Sequence, residues 1–398
     1  MTLANGRHYL AIPGPSVVPD RILNAMHRAS PNIYEGALVE AMPELISGLK
    51  SVARTSFDVA MYFGNGHAGW EAAIANTLQA GDRVLIPTNG GFADRWADAV
   101  RAHGVHVDVL ELDRSTAFDP DIIETVLRAD TAHEIKAVMA VHVDTSTSVK
   151  NDFATLRAAM DAAGHPALLM ADCIASLGCD PFEMDAWGVD VVITASQKGL
   201  MMPPGLAFVF LNQKARAAGR NITHRSQYWD WDRRIDPEIF AYYFGGTAPT
   251  HHLYGLREAL RMIVDEEGIE AVWTRHETLA RAVWAAVEHW GQDGPMALHV
   301  PNPAHRGHSV TSLGIGAPMG TALRDWTETN MGVTLGIGFG MAPLGDPKWH
   351  GYFRIGHMGH VNGHMVMGTL GVIEAGMEAL SIPFAEGGLK AARQVLIR

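Results

Sequence analysis

The sequence predicts an α/β protein: a large unit built on a mainly parallel sheet covered by helices, followed by a smaller α+β unit. Three observations carry this. Short runs rich in Val, Ile, Leu and Met alternate with longer amphipathic segments, the rhythm of strand–helix–strand units. Most of those runs are apolar at every residue rather than at every second one, as in strands covered on both faces. Near residue 290 a break rich in Gly, Pro and His precedes a shorter set of elements.

In chain order, strands are expected at Val59–Phe63, Arg83–Pro87, Val105–Leu110, Ile135–Val141, Ala167–Asp172, Val189–Thr194 and Ala207–Leu211. In Val105–Leu110 the polar His106 and Asp108 alternate with apolar residues, which places it nearer a sheet edge. Helical spacing covers His67–Leu78, Gly91–Ala102, Pro120–Arg128 and Phe153–Ala163. Asp119 and Asp152 stand where a carboxylate can accept a free backbone N–H, and Pro120 suits a first helical position. Residues 219–250, polar and aromatic, read as a long loop or edge segment, and helices follow at His251–Asp265 and Gly268–Trp290. The smaller unit has strand Ser309–Leu313, helix Gly320–Asn330, strand Tyr352–Ile355 and helix Val361–Leu380. The expected organisation is an N-terminal segment 1–20, a large domain 21–290 and a small C-terminal domain 291–398.

Composition narrows the function. The 398 residues are 47% hydrophobic and 19% charged, which suits a globular chain and excludes a disordered or coiled-coil one. The net charge is -12 with no basic tract, so no nucleic-acid partner is expected, because neutralising phosphates needs clustered Lys and Arg. No run of about 18 apolar residues occurs, so no membrane span is expected. The opening MTLANGRHYLAIPGP lacks the apolar core of a signal peptide, and the two cysteines, Cys173 and Cys179, suit a reducing compartment. A cytoplasmic protein is the expectation.

Four features fall at successive strand ends, where open parallel sheets bind ligands. Phe63-Gly-Asn-Gly-His-Ala-Gly69 matches a dinucleotide fingerprint, but the next strand closes Leu85-Ile-Pro-Thr88 without the carboxylate that would hold a ribose. A Gly-rich turn entering a helix still offers free N–H groups to a single phosphate; the plainer alternative is a tight turn. Thr88-Asn-Gly-Gly-Phe92 places an aromatic where it can lie on a heteroaromatic ring or simply join the core. Asp172 ends a very apolar strand, where it can pair with a protonated ring nitrogen, cap a helix or form an ion pair. Lys198, in Ser196-Gln197-Lys198-Gly199, follows another apolar strand; desolvation would lower its pKa and make it a Schiff-base nucleophile, unless it snorkels to water. Phosphate cradle, stacking aromatic, buried carboxylate and amine together describe pyridoxal phosphate (PLP). The triplet His357, His360 and His364 has helical spacing, but surface or interface histidines are the simpler reading and no metal is expected.

Longer segments point the same way: GRHYLAIPGPSVVP, GWEAAIANTLQAGDRV, HPALLMAD, MDAWGVDVVITASQKGLMMPPGL, HLYGLREAL and FRIGHMGH. On these the chain resembles the class V, fold-type I PLP-dependent aminotransferases of the alanine–glyoxylate and serine–glyoxylate group, over nearly its whole length. The resemblance implies that Lys198 bonds the cofactor and shuttles the proton, while Asp172 keeps the pyridinium protonated. It implies that Phe92 stacks on the ring, that Asn65, Gly66 and His67 form the phosphate loop, and that Thr145 and Gln197 touch the cofactor. It further implies that Thr247 reaches the phosphate of a neighbouring subunit in a homodimer, and that Arg354 grips the substrate carboxylate. The implied reaction moves an amino group from serine or alanine to glyoxylate or a similar 2-oxo acid.

Several segments depart from the serine–glyoxylate pattern. His142-Val-Asp-Thr-Ser-Thr-Ser148 stands where HNETATG is usual, and its DTST part is similar to ureidoglycine–glyoxylate aminotransferases. Ala171-Asp-Cys-Ile-Ala-Ser176 replaces VDGVSS, Gly245-Gly246 replaces an aromatic, Ile33-Tyr34-Glu35 lacks an arginine, and the loop MAPLGDPKWHGY before Arg354 is long. These bear on the donor, so an unusual-donor aminotransferase and a β-lyase on the same fold are the competing readings. A cysteine desulfurase is disfavoured, since both cysteines lie just after Asp172 rather than in the C-terminal half.

Overall fold

Alternation of side chains across a pleated sheet organises the molecule. A computed structural model describes residues 2–223, 225–343 and 345–397. Leu344, within the long loop before Arg354, lies outside the described residues, as do Met1 and Arg398 at the ends of the expected outer segments. The strands are β1 (Tyr9–Ala11), β2 (Asp58–Gly64), β3 (Arg83–Thr88), β4 (His106–Glu111), β5 (Ile135–Val141), β6 (Leu168–Asp172), β7 (Val191–Ala195), β8 (Gly205–Leu211), β9 (Ala297–Leu298), β10 (Val310–Gly314), β11 (Val333–Ile337) and β12 (Tyr352–Gly356).

A seven-stranded sheet has the order β2-β8-β7-β6-β5-β3-β4, with β8 alone running against its neighbours. On β5, Ala137, Met139 and Val141 enter one core while Val138 and Ala140 enter the other, and β6 and β7 do the same. Both faces are therefore covered, which accounts for the unbroken apolar runs. β4 is the edge strand and is half-exposed, as its alternating polar residues imply. Asp119 and Asp152 accept N–H bonds from Asp121 and Thr155 and open the helices Pro120–Ala129 and Phe153–Ala162.

A five-stranded sheet has the order β1-β11-β12-β10-β9, so the chain's first strand lies parallel to β11 in the sheet built by its C-terminal part. The sequence pattern did not anticipate β1, β9 or β11. β1 and β9 are too short to show a period, and Gly336 interrupts β11 because a Cβ there would lie 2.6 Å from Pro13 Cδ. The helices Asp20–Met26, Met42–Ala53 and Gly388–Leu396 were not anticipated either. The helix expected over His251–Asp265 is α-helical only over Thr250–Leu260 and continues as wider π-helical turns over Arg261–Glu267. Helix Ile269–Trp290 packs Val272 and Trp273 into the large core and Val283, Val287 and Trp290 into the small one.

One expectation is corrected. His357 and His360 precede the helix Gly363–Ala379, so the three histidines do not share a helix face. His357 is neither at the surface nor at an interface. It is buried, with one ring nitrogen at 2.9 Å from Thr311 Oγ1 and the other at 2.8 Å from the His308 carbonyl. No helix among the described residues is long and apolar enough to cross a membrane.

Within the long segment 219–250, in which His224 lies outside the described residues, the stretch from Tyr228 to Tyr243 is stapled down. Tyr62 Oη and Asn76 Nδ2 both donate to the Trp229 carbonyl, at 2.9 and 2.6 Å. The buried Arg234 guanidinium donates to the carbonyls of Met61, Tyr228 and Tyr243. Trp231 fills the core beneath, fully buried. Trp231→Ala is therefore expected to cost about 3–5 kcal/mol, read as a fall in the urea midpoint with little change in slope.

Candidate active site

Six strands of the large sheet run the same way, and the chemistry-bearing residues follow the carboxyl ends of five of them. Asn65, Gly66 and His67 follow β2, Phe92 follows β3, Thr145 follows β5, Asp172 closes β6, and Gln197 and Lys198 follow β7. The structure brings all eight to one cavity, with Trp70, Val141, Val143, Ile174 and Ala175 completing its lining.

Two of the three glycines in the Phe63–Gly69 turn have steric reasons from the sheet. A Cβ at Gly66 would lie 2.4 Å from Ile174 Cδ1, and one at Gly69 would lie 2.6 Å from Ile193 Cγ2, so the helix Gly66–Thr77 sits directly on the sheet. Asn65 caps that helix, its side chain accepting the His67 N–H at 3.1 Å. His67 lies edge-on to Trp70 at 4.6 Å, and partial burial with the nearby Arg95 charge lowers its pKa and favours the neutral imidazole.

Asp172 is buried, and each carboxylate oxygen has a fixed donor. Oδ1 accepts the Ile174 N–H at 2.8 Å and Oδ2 accepts Trp70 Nε1–H at 3.0 Å. Burial outweighs these bonds and raises its pKa to about 7. Lys198 shows the complementary effect. Burial, then the Arg354 charge, lowers its pKa to about 8. Its Nζ donates to the Pro13 carbonyl, and Ser16 binds the backbone beside it, N to the Gln197 carbonyl at 2.9 Å and Oγ to the Lys198 carbonyl at 2.8 Å. Gly14, at φ +95°, leaves no room for a side chain there, since a Cβ would lie 2.5 Å from Lys198 Nζ.

Arg354 enters from β12. Its Nε donates to the Ile337 carbonyl and its Nη1 to the Thr145 carbonyl, both at 2.7 Å. Burial lowers its pKa to about 10, which leaves it a cation at neutral pH. Among the described residues it has no carboxylate partner and Nη2 makes no hydrogen bond. Thr247 is not brought to this cavity; it lies exposed on the segment before helix Thr250–Leu260.

Sequence reasoning missed Trp70, Pro13 and Asp144. Trp70 lies one helical turn beyond Gly66, a spacing that was available as a signal. Asp144 explains part of the unusual DTST segment. Its carboxylate accepts the N–H groups of Phe92 at 2.9 Å, Ala93 at 3.1 Å and Ser146 at 2.9 Å, and so pins the helix that carries Phe92. A Cβ at Gly90 would collide with that carboxylate.

The family model for class V aminotransferases matches residues 50–323. The chain belongs to the class V aminotransferases. This aminotransferase is 36% identical to the serine–glyoxylate aminotransferase of Methylorubrum extorquens over 400 residues, covering 99% of this chain and 96% of that protein. It is 34% identical to the L-aspartate–glyoxylate aminotransferase of Paracoccus denitrificans, covering 96% and 94%. Among solved structures, ureidoglycine–glyoxylate aminotransferase from Bacillus subtilis superposes with a TM-score of 0.87 at 26% identity over 100% of both chains. The fold is that of the fold-type I PLP enzymes.

The residues present fit PLP. Gln197 Oε1 is buried with no hydrogen-bond partner among the described residues, a polar atom left for a guest. The cavity also offers an aromatic face at Phe92, a hydroxyl at Thr145, a carboxylate matched to a pyridinium and an amine matched to an aldehyde.

The lowered amine pKa has a signed consequence. Only the neutral amine attacks an aldehyde, so the rate at which cofactor-free protein captures PLP should rise with pH and level off above about 8, against 10.5 for an ordinary lysine. In Arg354→Gln a neighbouring positive charge is gone, so the midpoint should move up. Stopped-flow visible absorbance across a pH series reads both.

Proposed function

We propose that this aminotransferase moves an amino group from a small amino acid, serine or alanine foremost, to glyoxylate or a similar short 2-oxo acid. It works in the cytoplasm as a homodimer with active sites shared across the interface. The observation that carries the reading is Arg354: a buried cation, open at one end, whose charge bears on the catalytic amine. The relatives named for serine–glyoxylate and L-aspartate–glyoxylate transfer support the acceptor.

PLP, when bound, supplies an electron sink for the bond broken at the amino acid's Cα. Arg354 takes the substrate carboxylate in its fork and so fixes which Cα bond faces Lys198. Lys198 Nζ takes the Cα proton and returns it, which its lowered pKa permits near neutral pH. Asp172 holds a proton on the ring nitrogen; a cation placed beside its carboxylate favours the ionised acid, offsetting the effect of burial. Phe92 covers the ring, Thr145 and Gln197 bond the cofactor's polar edge, and the Asn65–His67 turn holds the phosphate. The Pro13–Ser16 strap lies against Lys198 and holds its amine and backbone in place.

Support for the dimer comes from exposed apolar side chains near Thr247. Ile239 and Tyr242 stand on the same segment, 51% and 54% exposed, and Phe63, 56% exposed, precedes the phosphate turn. Tyr228 joins these elements, donating from Oη to the Phe63 carbonyl at 3.2 Å. Thr247, held out from its own site, would reach the partner's phosphate.

Two outcomes are expected. Adding serine or alanine to the holoenzyme without an acceptor should bleach the visible cofactor band to the amine form, and glyoxylate should restore it. Free ammonia under those conditions would identify a β-lyase instead, and a band bleached only by another amine would identify an unusual donor. Lys198→Ala should abolish turnover while keeping some cofactor bound. Arg354→Ala should raise KM for donor and acceptor by on the order of 10²-fold, the loss of a buried charged hydrogen-bond pair; an unchanged KM would make Arg354 structural.

A further inference from the structure

Phe339 stands just ahead of the long loop that precedes Arg354, and no role follows for it from the cofactor site. Its ring centre is 5.4 Å from that of Phe92. The Arg354 guanidinium lies 5.8 Å from the same ring, and the exposed Arg95 guanidinium lies 4.3 Å over it. The backbone that carries that ring is held closely on both sides. A Cβ at Gly338 would lie 2.7 Å from Tyr352 Cβ, and one at Gly340 would lie 2.7 Å from Ser146 Cβ, so the chain is pressed against a neighbour on both sides of Phe339. Arg114 Nη1 adds a bond to the Gly340 carbonyl at 3.1 Å.

A donor amino acid presents three groups besides hydrogen at Cα. On the functional reading above, its carboxylate goes to Arg354 and its amine toward Lys198. The side chain is then directed to the side where Arg354 and the ring-stacking Phe92 approach each other, and Phe339 is the neighbour the two share. We infer that Phe339 is the specificity-determining wall of the donor side-chain subsite, admitting side chains the size of those of alanine and serine and turning away long or branched apolar ones. Arg95 holds the outer face of the ring by a cation–π contact. The inference rests on the aminotransferase reading of this site.

The test compares native holoenzyme with Phe339→Ala and Phe339→Leu, using glyoxylate as acceptor and serine, alanine, valine and leucine as donors. One methylene in an apolar pocket changes discrimination by roughly 10–200-fold. The ratio of kcat/KM for leucine to that for serine should therefore rise at least about tenfold in Phe339→Ala. Phe339→Leu should give a smaller rise, and the change should be carried mainly by a lower KM for leucine. Should the alanine variant fail to fold, the leucine variant alone must still raise the ratio. A ratio within twofold of native, in variants that keep the native visible cofactor band, overturns the subsite while leaving the proposed function standing. Native enzyme that transfers no amino group from any of these donors overturns both.

Discussion

Asp172 closes one strand and Lys198 follows the carboxyl end of the adjacent parallel one, the carboxylate buried and the amine partly so. Removing water disfavours whichever form is charged, so the carboxyl pKa rises to about 7 and the amine pKa falls to about 8. Neither shift comes from an unusual residue. Burial at the strand ends of a doubly covered sheet is the larger cause of both, and the Arg354 charge adds to the lowering at Lys198. The rest of the site supports this arrangement. Trp70 and the Ile174 amide hold the carboxylate in one orientation, and the Pro13 carbonyl receives the amine.

The Asp144 carboxylate is a second fixed point. It takes the N–H groups at the start of the helix Gly91–Ala102, where the helix dipole favours negative charge, and thereby sets Phe92 over the cavity. This gives a structural reason for one departure from the serine–glyoxylate pattern: the aspartate of DTST braces a helix. Ser146 and Ser148 carry the same segment into the small sheet, where Ser312 Oγ donates to the Ser146 carbonyl at 2.8 Å and Ser148 Oγ receives the Ser312 N–H at 3.2 Å.

The site is composite along the chain. The first strand lies in the C-terminal sheet beside β11, and the strap after it crosses to Lys198. Gly356, at the end of the strand that carries Arg354, is pressed against the Ile12 carbonyl, where a Cβ would not fit. Arg354, the strap and Lys198 are thus held in register by backbone packing rather than by ion pairs, so their spacing is insensitive to salt.

Sequence alone determined the local order: the strands of the large sheet, the edge position of His106–Glu111, the Asp119 and Asp152 caps, and the candidate residues at successive strand ends. These are legible because pleat, helix period and capping are set by neighbouring residues. Tertiary structure decided what depends on distant parts of the chain. It buried His357 against Thr311, made Gly90 necessary because Asp144 approaches it, seated the N-terminal strap on Lys198, and set Phe339 between Phe92 and Arg354. Such pairings leave no periodic signal, since each is fixed by steric fit and desolvation between segments that meet only after the sheets have formed.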